Sequence, residues 1–533
     1  MLMNIMFTMQ VTISPIPADY SIKTEYSPLS ELTLNCKYKD TNAQCNQHIF
    51  ENFKFFAKTL YPREQPYTPT QYNGKGYMNA ISQVTVIVTT SSESYDITKM
   101  DESYTLDVIS NEIKITAANH FALSRAFATL VQLMDVHPEL KEDQKAYAIY
   151  QAHVSDKAAF PWRELLLDAA RHYISLETLR RNVDALAITK FNVLHLHISD
   201  SESFPLQFKN APQNKLKAAQ WSPYHYYTIE DMVELQTYAN QRGVILYLEI
   251  DVPGHVYSWG KADQEIVAHC PSYSGNVNNV PINPANEKSY EYLKGILSEI
   301  FNSALFTNGN MKISPMIHLG GDEIIASCWR EDTIIASYMA QRGMSTSDLW
   351  REFHGRVNGI ISQITNGNYP YQVYWADSLH NGNPMTEKSI AHFWISIDKS
   401  DALNKNMYVI QSTHWYLDKM SPDADKSHFV FQDTWMDFYQ VDILAGVSDD
   451  QKKQVLGGGP CQWGETVTER SIEQHMYPRA LAISEVLWSN PSSRDITQTV
   501  IDRLDSLNCK LFHAGIKTGT MKSDIPCFGY PEK

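Results

Sequence analysis

In this chain of 533 residues, the segment richest in chemistry is His318-Leu319-Gly320-Gly321-Asp322-Glu323. Two glycines after a short apolar run let the backbone turn sharply. Two adjacent carboxylates follow. Held close in a partly dry pocket, they cannot both ionise easily. One pKa should rise and the other fall, which supplies one general acid and one anion. A helix N-terminus, where Asp and Glu meet the positive end of the dipole, would show the same residues. The segment alone does not decide between these readings.

Similar groups recur at the ends of other apolar runs. Asp200 follows Asn192–Ile198. Glu249-Ile250-Asp251 closes Val244–Asp251 and leads into Pro253-Gly254-His255. Tyr371–Trp375 runs into Ala376-Asp377, and Ile390–Ile395 contains Trp394. Met407–Ser412 is followed by Trp415-Tyr416-Leu417-Asp418. Val455–Trp463 leads into Gly464-Glu465. With Glu164–Asp168 and Pro315–Leu319 these make eight candidate strands. Amphipathic stretches lie between several of them: Ser175 to Thr189, Thr228 to Arg242 stopped by Gly243, Lys288 to Phe306, and Ser345 to Thr365. The pattern predicts an α/β fold, a (β/α)₈ TIM barrel, whose active site lies at the C-terminal strand ends. The space between the sixth and seventh strands is too short for a full helix.

Upstream the pattern is α+β. Gln83 to Thr90 is β-branched. Tyr104–Ile109 and Glu112–Ala117 alternate around Ser110-Asn111, which predicts a hairpin. His120 to Met134 follows a helical period with one broad apolar face. The chain therefore divides into a smaller N-terminal α+β domain, residues 1–157, and a catalytic barrel with a C-terminal extension, residues 158–533.

Tryptophan is a good floor for a pyranose ring, and Trp375, Trp394, Trp415 and Trp463 all stand near strand ends. Packing at the barrel top is the competing role, above all for Trp415. Arg163, before the first strand, has the fork to donate to sugar hydroxyls. A salt bridge across the barrel would use it equally well, and the same holds for Arg171 and His172. His195 and His197 share a strand face and, with Asp200, resemble a metal-ligand pair. That supports an alternative, a zinc-dependent hydrolase barrel of the amidohydrolase type. The pair falls on the second strand, however, and no Lys ends the fourth to bridge two metals. Buried, hydrogen-bonded histidines are the favoured reading, with no metal or other cofactor expected. A non-catalytic carbohydrate-binding protein is the other alternative.

The net charge of −15 argues against nucleic acid as a partner. No apolar run reaches the ~18–20 residues that span a bilayer. Residues 1–15 are apolar and Met-rich without Lys or Arg. They read as a remnant of a secretory signal or as a first strand ending at Pro15-Ile16-Pro17. Seven cysteines form no C-x-x-C pair, which argues against zinc clusters. No Asn-x-Ser/Thr sequon supports a secretory route.

The strand-end motifs, taken together, resemble the family 20 glycoside hydrolases, in particular lysosomal-type β-N-acetylhexosaminidases. The resemblance rests on the segments 163–173, 191–200, 251–255, 318–323, 415–418 and 461–465, in the family's order. It covers about residues 160–470, and Glu102 to Met134 is similar to the family's small N-terminal domain. It implies an exo-acting enzyme that removes terminal β-linked GlcNAc or GalNAc from glycans, with the substrate's acetamido group as nucleophile. Glu323 would be the general acid, Asp322 the partner of the acetamido N–H, and Tyr416 the donor to the acetamido oxygen. Trp375, Trp394 and Trp463 would line the acetamido pocket and floor the ring. Arg163 and Glu465 would bind the outer hydroxyls, and Asp418 would face the 6-hydroxyl. Asp200 and His255 would tune Glu323. The resemblance further implies disulfides Cys270–Cys328 and Cys509–Cys527, with Cys36–Cys45 a weaker inference and Cys461 free. It implies a homodimer, and a lysosomal or vesicular, or a secreted, location. Lys419 departs from the family, whose subunits carry Asn-Arg or Asp-Leu where this chain has Asp418-Lys419. A positive charge there should attract a 6-sulfate. Lys419→Leu should then lower the preference for 6-sulfated over neutral substrate; unchanged selectivity would sink the idea.

Overall fold

The computed structural model describes residues 12–60, 80–136, 147–273, 279–308, 311–313, 315–396, 398–418 and 433–521. The first six long strands form one mixed sheet. Its spatial order is Asp19–Tyr38, Ile81–Val88, Glu112–Ala117, Tyr104–Ile109, Tyr147–Asp156 and Met134–Val136. The expected hairpin forms, with Ile109 opposite Glu112. Helices Gln47–Leu60 and His120–Gln132 pack on each other, Phe53 against Phe127 at 5.4 Å.

The helix His120–Gln132 has no exposed face: all of its residues are buried. Its apolar side covers the sheet. Its polar side is taken by the barrel, where His120 Nε2 meets the Asn240 carbonyl at 2.8 Å and Ser124 donates to that of Arg242 at 2.6 Å. The strand Asp19–Tyr38 and the helix Gln47–Leu60 went unread in the sequence. The strand's first half mixes charged residues and Pro28 with few apolar ones, and only Leu32 to Tyr38 alternates, with Leu32, Leu34, Cys36 and Tyr38 on the inner face. Residues 1–11, and with them both expectations for the N-terminal stretch, lie outside the described residues. Residues 12–17 form no strand. Instead Ser14 docks between the domains: its N–H donates to Gln132 and its hydroxyl to Glu485, both at 2.8 Å.

The barrel closes with eight parallel staves. They are Trp162–Asp168, Val193–His197, Ile245–Glu249, Met316–His318, Tyr371–Trp375, Ser389–Phe393, Tyr408–Gln411 and a last one broken into Val455–Gly458 and Cys461–Gln462. Both halves of the last stave pair with the first strand, Gly457 beside Trp162 and Cys461 beside Leu166. The expected helices appear as Leu176–Ile188, Ile229–Gln241, Glu287–Phe301 and Thr346–Ile364. Ser175 and Thr228 cap the first two, each accepting the third residue's N–H. Between the sixth and seventh strands there is only a five-residue turn of helix, Ser400–Asn404. Disulfides join Cys36 to Cys45 and Cys270 to Cys328, and Cys461 is free and buried. Cys527 lies outside the described residues, and with it the Cys509–Cys527 expectation.

Arg163 corrects an expectation. It is fully buried beneath the barrel and far from the strand ends that hold the carboxylates. Its guanidinium pairs with Glu102 of the N-terminal domain and donates to the carbonyls of Lys190 (2.8 Å) and Phe160 (2.7 Å). Five residues of extended strand separate it from Asp168, roughly 17 Å at the usual rise. Arg125 also binds Glu102, at 2.8 Å. Burial alone would raise the Glu102 carboxyl, but the two guanidiniums outweigh it and hold the pKa below the usual range. Removing one member of such a buried cluster leaves uncompensated charge. Glu102→Gln should therefore cost about 3–5 kcal/mol of stability with little change in KM. Denaturant unfolding and steady-state kinetics check both halves; a raised KM at unchanged stability would put Arg163 back in the site.

Candidate active site

The fourth strand ends at His318, and the loop after it is held by close approach. Gly320 and Gly321 take φ of +60° and +91°. A Cβ on Gly320 would come within 1.8 Å of Asp251 Oδ1, and one on Gly321 within 2.0 Å of Ser378 Oγ. The Gly321 N–H donates to Asp251 Oδ1 at 3.0 Å. Glu323 itself takes φ +46°. The next helix begins only at Ala326 and its cap is Ile325, so Asp322 and Glu323 do not serve as helix-start residues.

The two carboxylates differ in setting. Asp322 is buried, and no hydrogen-bond donor among the described residues reaches its Oδ1. The Glu323 side chain is 43% exposed and receives the Asn279 amide at 3.2 Å. The like-charge competition expected between these two involves Asp251 as well. Burial, and then the Asp251 carboxylate, push the Asp322 pKa well above its usual range. Burial and then Glu249 do the same to Asp251.

His255, at φ +54°, stands among them. Its Nδ1 is 3.1 Å from Asp200, while its Nε2 faces Asp251 and Glu323 at 3.8 Å and Asp322 at 3.9 Å. Burial would lower its pKa, but Asp200 and the other carboxylates outweigh that and lift it to about 9. The ring is therefore an imidazolium in acid. It donates to Asp200 through one nitrogen and points the other N–H at three carboxylates.

Three of the four tryptophans converge. Trp375 is fully buried, with Nε1 donating to Glu249 at 2.7 Å, and packs against Trp463 at 5.9 Å. Trp394 is partly buried and donates to Asp377 at 2.6 Å; with Trp463 it packs on Leu166, Trp375 and Cys461. Trp415 is fully buried with its N–H on the Phe438 carbonyl, a packing role. Tyr416 bridges to Cys461 and lies within electrostatic reach of Asp418 and Asp322. Burial, and then Cys461 and Asp418, raise its pKa well above 10, so it remains a phenol that can donate.

At the other end of the pocket stands Arg171, which the sequence left undecided. It donates to Asp168 at 2.9 Å and reaches Asp200 at 3.0 Å and Glu465 at 3.5 Å, with its guanidinium 5.1 Å from the Trp463 ring centre. Its place past the C-terminal end of the first strand was the available signal. Arg171, and not Arg163, is the arginine that stands beside Glu465 and Asp200. Lys419 lies outside the described residues.

His195 and His197 are hydrogen-bonded residues of the barrel interior. His197 faces Glu249 at 2.7 Å and Asp200 at 2.9 Å, and His195 faces Glu249 at 2.9 Å and Tyr247 at 3.1 Å. His318 and Trp375 also reach Glu249, so one buried carboxylate ties the pocket's tryptophan wall to the Asp200 end. Burial opposes its charge, but the histidines around it hold its pKa well below the usual range. Sequence reading marked Glu249 only as a strand end.

A barrel mouth with paired acids, an aromatic floor and an Arg–carboxylate rim defines a glycosidase. Residues 160–491 match the catalytic domain of glycosyl hydrolase family 20, and residues 13–133 match a beta-acetyl hexosaminidase like domain. The chain is 32% identical to beta-hexosaminidase subunit A1 of Dictyostelium discoideum, over 80% of this chain and 76% of that one. It is 30% identical to the human beta-hexosaminidase subunit beta, over 84% and 77%. A solved chitobiase of Flavobacterium johnsoniae superposes with a TM-score of 0.72 at 25% identity, over 94% of this chain and 72% of that one. The chain belongs to glycosyl hydrolase family 20 and is a glycosidase of the β-N-acetylhexosaminidase type.

Proposed function

We propose that this enzyme removes terminal, non-reducing β-linked N-acetylhexosamine with the substrate's own acetamido carbonyl as nucleophile. Glu323, the accessible carboxyl, protonates the glycosidic oxygen. The acetamido oxygen attacks the anomeric carbon, the glycosidic bond breaks, and an oxazolinium ion forms. Asp322 accepts the acetamido N–H, and the positive charge that grows there offsets the raised pKa of the free enzyme and favours the carboxylate that balances it, while Tyr416 donates to the acetamido oxygen. Water, deprotonated by Glu323, then opens the ring with net retention. An intramolecular nucleophile replaces a bimolecular encounter, which removes much of the entropic barrier.

The observation that carries this reading is the buried Asp322 Oδ1, which no donor among the described residues reaches, next to an exposed Glu323 and the tryptophan wall. Trp375, Trp394 and Trp463 line the acetamido pocket. Arg171 and Glu465 bind the outer hydroxyls and block the far end, so action is exo, while Asp200 and His255 tune Glu323. Asp418 faces the 6-hydroxyl. Two disulfides support folding in an oxidising compartment, hence a lysosomal, vesicular or secreted location. Among the described residues no helix is long and apolar enough to cross a membrane. Homodimerisation rests on the family likeness, and sedimentation would test it.

The decisive comparison is nitrophenyl N-acetyl-β-glucosaminide against nitrophenyl β-glucoside in mild acid with chelator present. Rapid cleavage of the first and almost none of the second is expected. Equal cleavage would mean an enzymic nucleophile and overturn the mechanism.

A further inference from the structure

Arg171 stands among four carboxylates, two of them at good hydrogen-bond distance and two beyond it. Its two terminal nitrogens are taken by Asp168 at 2.9 Å and Asp200 at 3.0 Å. Its Nε–H points between two further carboxyls, Glu465 at 3.5 Å and Glu202 at 4.0 Å. Both distances exceed a good N–H···O bond. The Oε2 atom of Glu202 is buried and has no hydrogen-bond partner among the described residues. An Nε–H without a good partner beside two carboxyls is a gap that suits a hydroxyl, which both accepts and donates.

We propose that Glu202 is a further sugar ligand of this site. With Glu465 and the Arg171 Nε–H it receives the outer hydroxyls of the terminal sugar and reads the configuration at the 4-hydroxyl. This rests on the reading above that the Arg171 end binds those hydroxyls. An equatorial 4-hydroxyl and an axial one leave the ring in different directions, so two flanking carboxyls do not serve both epimers equally.

The contact also varies with pH. Glu202 faces Asp200, Arg171 and Asp168, Glu465 meets the same Arg171 Nε, and the Lys261 ammonium donates to the Glu202 backbone carbonyl. Burial, then repulsion by Asp200, lift its carboxyl to about 7 against the pull of Arg171. In mild acid it is a neutral acid, with one O–H to donate and one oxygen to accept. Above neutrality it becomes an anion crowded by Asp200. KM should therefore rise between pH 6 and 8.

The test uses Glu202→Ala, Glu202→Gln and Arg171→Lys on nitrophenyl N-acetyl-β-glucosaminide and its galacto epimer. Losing one such hydrogen bond should raise KM of the Ala variant roughly 3- to 10-fold and leave kcat within about twofold. The ratio of kcat/KM for the two epimers should shift at least about threefold, a change that general loosening would not produce. Gln, the isostere of the neutral acid, should keep the acid-pH KM and abolish its rise between pH 6 and 8. If the Ala variant does not fold, the pH profile of the Gln variant decides. Wild-type KM and epimer ratio in both Glu202 variants, with KM raised in Arg171→Lys, would overturn this inference alone. Unchanged KM in all three would overturn the outer-hydroxyl reading itself.

Discussion

Glu323→Gln should lower kcat by roughly 10²–10⁴-fold on substrates with a poor leaving group, the usual contribution of a positioned proton donor. The side chain is exposed at the mouth, touches Asn279 and lies 3.8 Å from the His255 imidazolium. Gln keeps the size and the Asn279 contact but has no proton to give. A nitrophenolate leaves without protonation, so the first step with that substrate should suffer least. Ring opening by water still needs the base, so intermediate should accumulate and KM should fall along with kcat. Comparing nitrophenyl and disaccharide substrates checks this. Equal losses in kcat with unchanged KM on both would mean that Glu323 stabilises the transition state without donating the proton, and a raised KM at unchanged kcat would mean that it acts only through binding.

Asp322→Asn should lower kcat by roughly 10²–10³-fold, the scale seen when one preorganised electrostatic partner of the transition state is lost. Asn can still accept the acetamido N–H, but it cannot balance the positive charge that grows as the oxazolinium forms. Stability should move the other way. Asp322 and Asp251 are both raised in pKa by burial and by their carboxylate neighbours. A carboxyl raised on folding binds more protons in the native state than in the unfolded chain. Its destabilising effect therefore appears as pH climbs above the ordinary value of 3.8 and grows until the folded-state pKa is passed. The amide introduced by Asp322→Asn has no charge to repel, so the variant should gain stability relative to wild type as pH rises from about 4 towards neutral. Unfolding at several pH values, beside the kinetics, measures both. A variant that loses activity and stability together at every pH would indicate a structural role.

Much of this was legible in the chain because strand periodicity and strand-end chemistry are local. The hairpin at Ser110-Asn111, the Ser175 and Thr228 caps, all eight staves and the Gly320-Gly321 turn follow from neighbouring residues alone. So does the clustering of Trp375, Trp394, Trp463, Tyr416 and Glu465 at one mouth, once a barrel is accepted. The first half of the strand Asp19–Tyr38 was hidden because it is mostly exposed and carries few apolar residues; the alternation of Leu32, Leu34, Cys36 and Tyr38 was a signal that could have marked the second half.

What the sequence determined by itself is therefore the barrel and the inventory of groups at its C-terminal end. Backbone geometry converts strand order into a ring, and the ring gathers the strand ends. Only the tertiary structure decided which like-charged groups meet and which arginine stands at the barrel mouth. Arg163 and Arg171 are eight residues apart, and either has the chemistry to bind hydroxyls. One ends beneath the barrel against Glu102, the other at the mouth against Asp200. In the same way Asp322 competes for a proton with Asp251, distant in sequence, as well as with its neighbour Glu323. Burial and charge–charge repulsion depend on distance in space, and chain order does not fix that distance until the strands have closed.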